Sequence, residues 1–145
     1  MTLDFTGKKV LVVGDVMLDQ YAYYISRGLS PEAPVPDLLE NDDHVENSLG
    51  GAANVAANLR DLGIETTLAG VLGEDEEAEI FTSLLEGINF IPFVDPNRPT
   101  TTKKRILASS KSHQPQQITR LTRESTETIP YQLEDKIVPE LQERI

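Results

Sequence analysis

The apolar residues of this 145-residue chain fall in short runs that alternate with helix-like stretches. Lys9 to Gly14 contains a continuous apolar run that stops at a glycine, which is typical of a buried strand. Thr66 to Val71 and Ile88 to Val94 predict two further strands, and Gly51 to Leu62 and Glu74 to Glu86 predict helices between them. The order strand, helix, strand, helix, strand predicts an α/β fold with a parallel sheet.

The remaining segments predict strands that project from this sheet and a last helix. Gln20 to Leu49 contains aromatic and β-branched residues together with prolines, so we expect short strands and turns there. Thr100 to Ala108 and Gln117 to Arg123 predict a hairpin around the polar loop Ser109 to Gln116, and Tyr131 to Arg144 predicts a helix. The sequence has no internal repeat or obvious interdomain linker, so we expect one domain.

Charge restricts the partners that this chain can have. The 24 acidic and 13 basic residues give a formal net charge of −11, which argues against a nucleic-acid-binding or anionic-membrane-binding surface. Arg98 to Arg123 holds seven basic residues and no acidic one, whereas Glu32 to Glu46 holds six acidic residues and no Lys or Arg. The two segments therefore either attract each other or form solvated faces. The chain has no cysteine, and its first apolar run is too short for a signal or membrane segment, so we expect a cytoplasmic location.

The first candidate site is the double glycine Gly50 and Gly51, which precedes a run of small residues. Residues without a Cβ atom let a ligand approach the backbone, and the N–H groups of the following helical turn favour anionic or hydroxyl partners. Asn54 lies in that turn, where its amide can donate and accept. Asp15 and Asp19 follow the first strand, where ligands of α/β sheets gather. The alternative is a tight turn before a buried helix, with Asp15 as a turn or capping residue.

The second candidate site lies on the predicted hairpin. Lys103 and Arg105 alternate along one strand, so their side chains leave the same face and could close on one phosphate. Lys104 should point the other way. The alternative is an edge strand that these basic residues protect from aggregation. His44 and His113 have no partner at metal-ligand spacing, so we expect both to be surface residues.

The spacing around the double glycine resembles a family signature. Two glycines, two small residues, Asn54, one residue and a small residue, followed at fixed intervals by Gly63 and Gly73, resemble the first signature of the ribokinase-like (PfkB) carbohydrate kinases. Within that family the chain is most similar to the N-terminal half of the bacterial heptose-7-phosphate kinases. The segments that carry this second resemblance are Val13 to Asp19, Ile25 to Arg27, Ser30 to Pro36 and Arg98 to Lys103.

The resemblance implies a ribokinase-like α/β fold: part of a doubly wound parallel sheet with helices on both faces and a projecting β lid. It implies that residues 1–145 are the N-terminal part of a kinase domain, with residues 8–16, 50–97 and 125–145 in the sheet core and residues 17–49 and 98–124 in the lid. Asp19 stands at the position that resembles the family's sugar-hydroxyl acceptor. The implied substrate-binding residues are Asp15, Asp19, Gly50, Gly51, Asn54, Lys103, Arg105, Arg120 and Glu124.

The resemblance also implies an activity for which this chain lacks a part. Such kinases transfer the γ-phosphoryl group of ATP to a sugar hydroxyl, and they use the Asp of a Gly-Ala-Gly-Asp motif as base. That motif does not occur in the sequence. We therefore expect no catalytic residue and no bound ATP or Mg²⁺ in this chain alone, although the complete kinase would need both cofactors.

We predict that the chain is the substrate-binding and lid portion of an ATP-dependent sugar kinase, inactive by itself. Its substrate would be heptose 7-phosphate, phosphorylated at the anomeric hydroxyl in ADP-heptose and lipopolysaccharide precursor synthesis. The alternative is a non-catalytic sugar-phosphate-binding or assembly subunit. Because part of a sheet leaves unpaired strand edges, we expect either a homodimer through the lid strands or a C-terminal half to cover them.

Overall fold

A computed structural model describes residues 4–110 and 114–143, without the side chains of residues 41–43. The described chain contains seven strands and three helices. In chain order they are β1 Lys9–Val13, β2 Val16–Leu29, β3 Pro36–Gly51, α1 Ala52–Asp61, β4 Glu65–Leu72, α2 Glu76–Ser83, β5 Asn89–Val94, β6 Thr102–Ser109, β7 Gln116–Arg123 and α3 Tyr131–Gln142.

The first sheet is parallel and has the strand order β1-β4-β5. The predicted parallel α/β arrangement is therefore confirmed. Its strands are apolar because helices cover them, and the main core lies between this sheet, the start of β2 and the helices α1 and α2. Leu18, Leu68 and Phe81 are fully buried there. The Phe81 ring meets the Phe90 ring edge to face at 5.7 Å between centroids.

The second sheet is mixed and has the strand order β3-β2-β6-β7. β2 pairs antiparallel with β3 and parallel with β6, and β6 forms an antiparallel hairpin with β7. The prediction of short strands between Gln20 and Leu49 is wrong, because β2 has 14 residues and β3 has 16. Pro31 and Pro34 lie in the turn between these strands and Pro36 begins β3, so none of them interrupts a strand interior.

Helix α2 begins at Glu76, two residues later than the sequence predicts, because Asp75 caps it, and it ends at Ser83, three residues earlier than predicted. Asp75 accepts hydrogen bonds from the Ala78 N–H at 3.1 Å and from the Thr100 N–H at 2.9 Å. These bonds hold Asp75 in an extended conformation outside the helix. Burial alone would raise the pKa of Asp75, but its hydrogen bonds to Thr100 and Ala78, together with the charge of Arg123, leave that pKa below its ordinary value.

The β6–β7 hairpin and helix α3 lie in the segments where the sequence predicts them. The predicted loop Ser109 to Gln116 includes residues 111–113, which lie outside the described residues, as do His113 and Arg144. Helix α3 buries none of its described side chains fully. Across residues 4–110 and 114–143, the structure has no helix that is long and apolar enough to cross a membrane.

Candidate functional site

The double glycine joins the second sheet to helix α1. Gly51 is the N-cap of α1 and has a φ of +58°, a conformation that glycine adopts without strain. A Cβ atom at Gly51 would collide with the carbonyl oxygen of Asp15. That carbonyl accepts a hydrogen bond of 2.9 Å from the Ala52 N–H, so the turn after β1 is tied to the first residue of the helix. Backbone conformation and close approach both require glycine at this position.

Gly50 makes room for the carboxylate of Asp19. Gly50 lies opposite Met17 in the β2–β3 pair. Met17 is two residues from Asp19 on β2, so the side chains of Met17 and Asp19 lie on the same face. A Cβ atom at Gly50 would lie 2.7 Å from Asp19 Oδ2 and 2.7 Å from Met17 Cγ. The absence of a side chain at Gly50 therefore lets the Asp19 carboxylate lie against the β3 backbone.

Asp19 forms an ion pair with Arg105 across the two parallel strands β2 and β6. Arg105 Nη1 donates a hydrogen bond of 2.7 Å to Asp19 Oδ1. The Asp19 and Arg105 side chains are 17% and 23% exposed, so water only partly screens the pair. The hydrogen bond to Asp19 raises the pKa of Arg105 above its ordinary value, which keeps the guanidinium charged. This arrangement places a carboxylate directly beside a charged guanidinium.

Two more cations lie on the same face of the second sheet. Lys103 and Arg105 alternate along β6, and Arg120 on β7 lies opposite Arg105. Lys104 pairs with Gln20 in the alternate register and faces the other side, as predicted. The edge-strand interpretation of Lys103 and Arg105 is wrong, because β6 lies between β2 and β7. The alternation therefore concentrates positive charge beside Asp19.

A cleft of about 400 Å³ lies beyond the carboxyl ends of the parallel strands. The side chains of Asp15 and Glu124 are exposed, and both residues line this cleft. Phe93 and Ile137 contribute apolar surface to its wall. The position is the one where α/β sheets bind ligands. Asp15 thus connects the cleft to the glycine pair through its backbone carbonyl. The cleft lining does not include the charged residues of the second sheet, which are Asp19, Lys103, Arg105 and Arg120.

Arg98 also lines this cleft, and sequence reasoning assigned it no role. Its Nε donates to Asp95 Oδ2 at 3.2 Å, and its Nη2 donates to the carbonyl oxygens of Glu127 and Thr128 at 3.1 and 3.3 Å. These bonds tie the end of β5 to the segment before α3. The spacing of Asp95 and Arg98, three residues apart in a Pro-containing turn, was the available signal.

Asn54 and His44 stand apart from the Asp19–Arg105 pair. Asn54 is exposed in the first turn of α1, and its carbonyl accepts a hydrogen bond of 2.7 Å from Asn58 Nδ2. His44 is an exposed residue beside Tyr23 and Glu46, as predicted for a surface residue. Within residues 4–110 and 114–143, no group of three or more His, Cys, Asp or Glu side chains is placed to hold a metal ion.

The basic segment makes its described ion pairs outside the acidic segment. Its arginines pair with carboxylates on β2, after β5 and at the start of α2. The described pairs are Arg98 with Asp95, Arg105 with Asp19, and Arg123 with Asp75 and Glu77. Among the described residues, Arg105 thus pairs within the second sheet, Arg123 joins that sheet to the start of α2, and no ion pair joins the basic segment to Glu32 to Glu46.

The parallel sheet, the mixed sheet that extends from it and the glycine-initiated helix define a ribokinase-like α/β fold. Among solved structures, a carbohydrate kinase from Agrobacterium tumefaciens matches with a TM-score of 0.61 and 24% identity, covering 79% of this chain and 35% of that one. The phosphofructokinase-2 from Escherichia coli, solved with fructose 6-phosphate, matches with a TM-score of 0.59 and 18% identity, covering 91% of this chain and 41% of that one. These likenesses show the fold.

The family model described as pfkB family carbohydrate kinase matches residues 7–141, and the chain belongs to this family. The bifunctional protein HldE of Shewanella piezotolerans is 44% identical over 133 residues, which cover 90% of this chain and 26% of that protein. The HldE of Trichlorobacter lovleyi is 41% identical over 142 residues, which cover 94% and 27%. The chain therefore spans about a quarter of the length of these curated relatives. The family resemblance and the fold class inferred from the sequence are confirmed.

Proposed function

We propose that this chain is the substrate-binding part of a sugar kinase and that its substrate is heptose 7-phosphate, phosphorylated at the anomeric hydroxyl during ADP-heptose synthesis. Its membership of the pfkB family and its identity with HldE proteins support the sugar-kinase class. The observation that carries the choice of a sugar phosphate is the contact of Asp19 with Arg105 at 2.7 Å on a face that also holds Lys103.

The chemistry of this face suits the two ends of a phosphorylated sugar. A carboxylate accepts hydrogen bonds from sugar hydroxyls, and Asp19 Oδ2 lies where Gly50 leaves the backbone uncovered. Guanidinium and ammonium groups bind phosphate oxygens, and Arg105, Lys103 and Arg120 share the face. In this proposal Asp19 orients the sugar, while the cations bind the phosphate and set its distance from Asp19.

We propose that residues 17–49 and 98–124 form a lid over the bound sugar and that residues 8–16, 50–97 and 125–145 belong to the sheet core. The strand order supports this division, because β2, β3, β6 and β7 together form the second sheet. β2 enters that sheet from the core at Val16, which is buried. The Asp19–Arg105 pair would then lie where the lid meets the core.

We propose that this chain alone holds neither ATP nor Mg²⁺, the cofactors that pfkB kinases generally use. Among the described residues no group of three or more His, Cys, Asp or Glu side chains is placed to hold a metal ion, which supports this proposal. The sequence also has no Gly-Ala-Gly-Asp motif to supply the base. We propose that residues outside this sequence provide the ATP site, the Mg²⁺ site and the base.

Calorimetric titration tests the proposal. The chain should bind heptose 7-phosphate more tightly than unphosphorylated heptose, and inorganic phosphate should bind weakly. Arg105→Gln should weaken heptose 7-phosphate binding by about tenfold or more, because it removes a charge-assisted hydrogen bond. Arg27→Gln is the matched control, since Arg27 is exposed on the same sheet and lies 3.6 Å from Asp37. Absence of binding by the unaltered chain, or equal binding by Arg105→Gln, would contradict the proposal.

We also propose that the second sheet pairs with a second copy of the chain. Large apolar side chains are exposed near the turn between β2 and β3, among them Ile25, Leu29 and Leu39. Exposed apolar clusters of this kind are typical of association surfaces. Sedimentation should give a dimer mass that Leu29→Glu with Leu39→Glu reduces to the monomer mass. A monomer mass at every concentration of the unaltered chain would rule out the pairing.

A further inference from the structure

Arg105 has a second contact besides Asp19. The Arg105 Cζ atom lies 5.0 Å from the centroid of the Tyr21 ring. A guanidinium within about 6 Å of an aromatic ring centroid is attracted to the ring face. The Arg105 side chain is therefore held from two sides, by a carboxylate and by an aromatic ring.

The register of the second sheet explains this double contact. In the parallel β2–β6 pair, Tyr21 lies opposite Arg105 and Asp19 lies opposite Lys103. Asp19 and Tyr21 are two residues apart on one strand, so their side chains leave the same face. The Arg105 side chain lies across this face and reaches both.

We propose that Tyr21 is a positioning residue that holds the Arg105 guanidinium in place for the phosphate of the substrate. This inference rests on the proposed function. Arg105 donates to Asp19 Oδ1, while Asp19 Oδ2 is the oxygen that we assign to a sugar hydroxyl. The remaining N–H groups of the guanidinium are then the donors for a phosphate, and they meet it only if the guanidinium keeps its orientation. The contact with Tyr21 is a second restraint, independent of the hydrogen bond to Asp19, that keeps this long, flexible side chain beside the site.

The neighbouring charges are consistent with this role. Lys103 and Arg120 lie on the same face as Arg105, one on its own strand and one on β7. Their charges repel the guanidinium, and among the described residues the carboxylate of Asp19 opposes them within hydrogen-bond distance of Arg105. An aromatic ring attracts a cation without adding a negative charge that would repel phosphate. Tyr21 thus stabilises Arg105 without weakening the anion site.

The first test measures the position of Arg105 in the chain without added ligand. The Nε–H and Cδ–H proton signals of Arg105 should show the shielding that a ring face produces. Tyr21→Phe should keep this shielding and Tyr21→Leu should remove it. Tyr24→Leu is the matched control, because Tyr24 lies on the opposite face of β2. Unchanged Arg105 signals in Tyr21→Leu would overturn the inference.

The second test is calorimetric titration of the same variants with heptose 7-phosphate and with unphosphorylated heptose. Tyr21→Leu should weaken binding of the phosphorylated sugar by about two- to fivefold and leave that of the other sugar unchanged. Tyr21→Phe should bind heptose 7-phosphate as tightly as the unaltered chain does. If the Tyr21 hydroxyl bound the sugar phosphate itself, Tyr21→Phe would bind it more weakly. Equal loss for both sugars, or no loss while Arg105→Gln binds poorly, overturns the inference and leaves the proposed function intact. If the unaltered chain binds neither sugar, the proposed function and the phosphate role of Tyr21 are both overturned. The proton signals of the first test then still show whether the Tyr21 ring holds Arg105.

Discussion

Replacing Gly50 with alanine would place a methyl group in space that Asp19 and Met17 occupy. The new Cβ atom would lie 2.7 Å from Asp19 Oδ2 and 2.7 Å from Met17 Cγ. Each neighbour has to withdraw by roughly 0.7 Å before the contact becomes an ordinary van der Waals one. Met17 has a flexible side chain, but Asp19 is held by its 2.7 Å hydrogen bond to Arg105. We therefore expect the substitution to strain this ion pair.

The expected cost is the difference between two effects. Overpacking of a filled site costs about 1–3 kcal/mol in the free energy of unfolding. Alanine in a strand recovers roughly 0.5–1 kcal/mol, because it restricts the unfolded chain more than glycine does. From the central values of these ranges we predict that Gly50→Ala lowers the free energy of unfolding by about 1 kcal/mol. Because Asp19 moves, the substitution should also weaken sugar-phosphate binding.

Urea denaturation followed by circular dichroism gives the free energy of unfolding, and a double substitution locates the strain. The cost of Gly50→Ala should fall when Asp19→Ala removes the facing carboxylate. Gly63→Ala is the control, since a Cβ atom there meets nothing within 4 Å and its φ of +82° alone makes alanine unfavourable. Gly63→Ala should destabilise the chain without changing ligand affinity. A Gly50→Ala chain that is as stable as the unaltered one, or a cost unchanged by Asp19→Ala, would refute the reasoning.

Three further predictions concern stability. A double-mutant cycle of Asp19→Ala and Arg105→Ala, measured by urea denaturation, should give a coupling of about 1–2 kcal/mol because the pair is partly shielded, and a coupling near zero would contradict this. The lowered pKa of Asp75 means that its carboxylate stabilises the fold fully above the ordinary value of 3.8 and loses that contribution as the pH falls through the folded value. Asp75→Asn should therefore flatten the fall of the unfolding free energy below about pH 4, and an unchanged acid slope would show that the carboxylate has no such role. Phe81→Ala should lower the free energy of unfolding in urea by about 3–5 kcal/mol, because Phe81 is fully buried. Tyr131→Ala, at a position that is 70% exposed, should lower it little, and equal losses would contradict the assignment of Phe81 to the core.

The parallel sheet was predictable because its strands are marked by composition alone. β1 and β4 are apolar runs whose ends lie within a residue of the predicted bounds, and α1 lies between the glycines Gly51 and Gly63. The lengths of β2 and β3 were not predictable in the same way. Their exposed positions mix polar residues with apolar ones such as Ile25, Leu29 and Leu39, so no clear alternation marks them. Pro31 and Pro34 also suggest broken strands until they are located in the turn between β2 and β3.

The candidate site was predictable in its parts but not in its pairing. Alternation along β6 gives the shared face of Lys103 and Arg105 from sequence alone. The contact of Arg105 with Asp19 depends on the β2–β6 register, which joins residues 86 positions apart and which no local pattern fixes. The hydrogen bond from the Thr100 N–H to Asp75 likewise joins residues 25 positions apart and forms only in the folded chain.

Backbone amide signals of the ¹⁵N-labelled chain, followed while heptose 7-phosphate is added, test directly whether this face of the second sheet binds the substrate. The largest changes should occur at Asp19, Gly50 and Arg105, and they should saturate at the affinity found by calorimetry. The signals of helix α3, Tyr131–Gln142, should remain unchanged. Changes confined to α3 or spread evenly over the chain, or no change at saturating sugar phosphate, would contradict the assignment of this face of the second sheet as the substrate site.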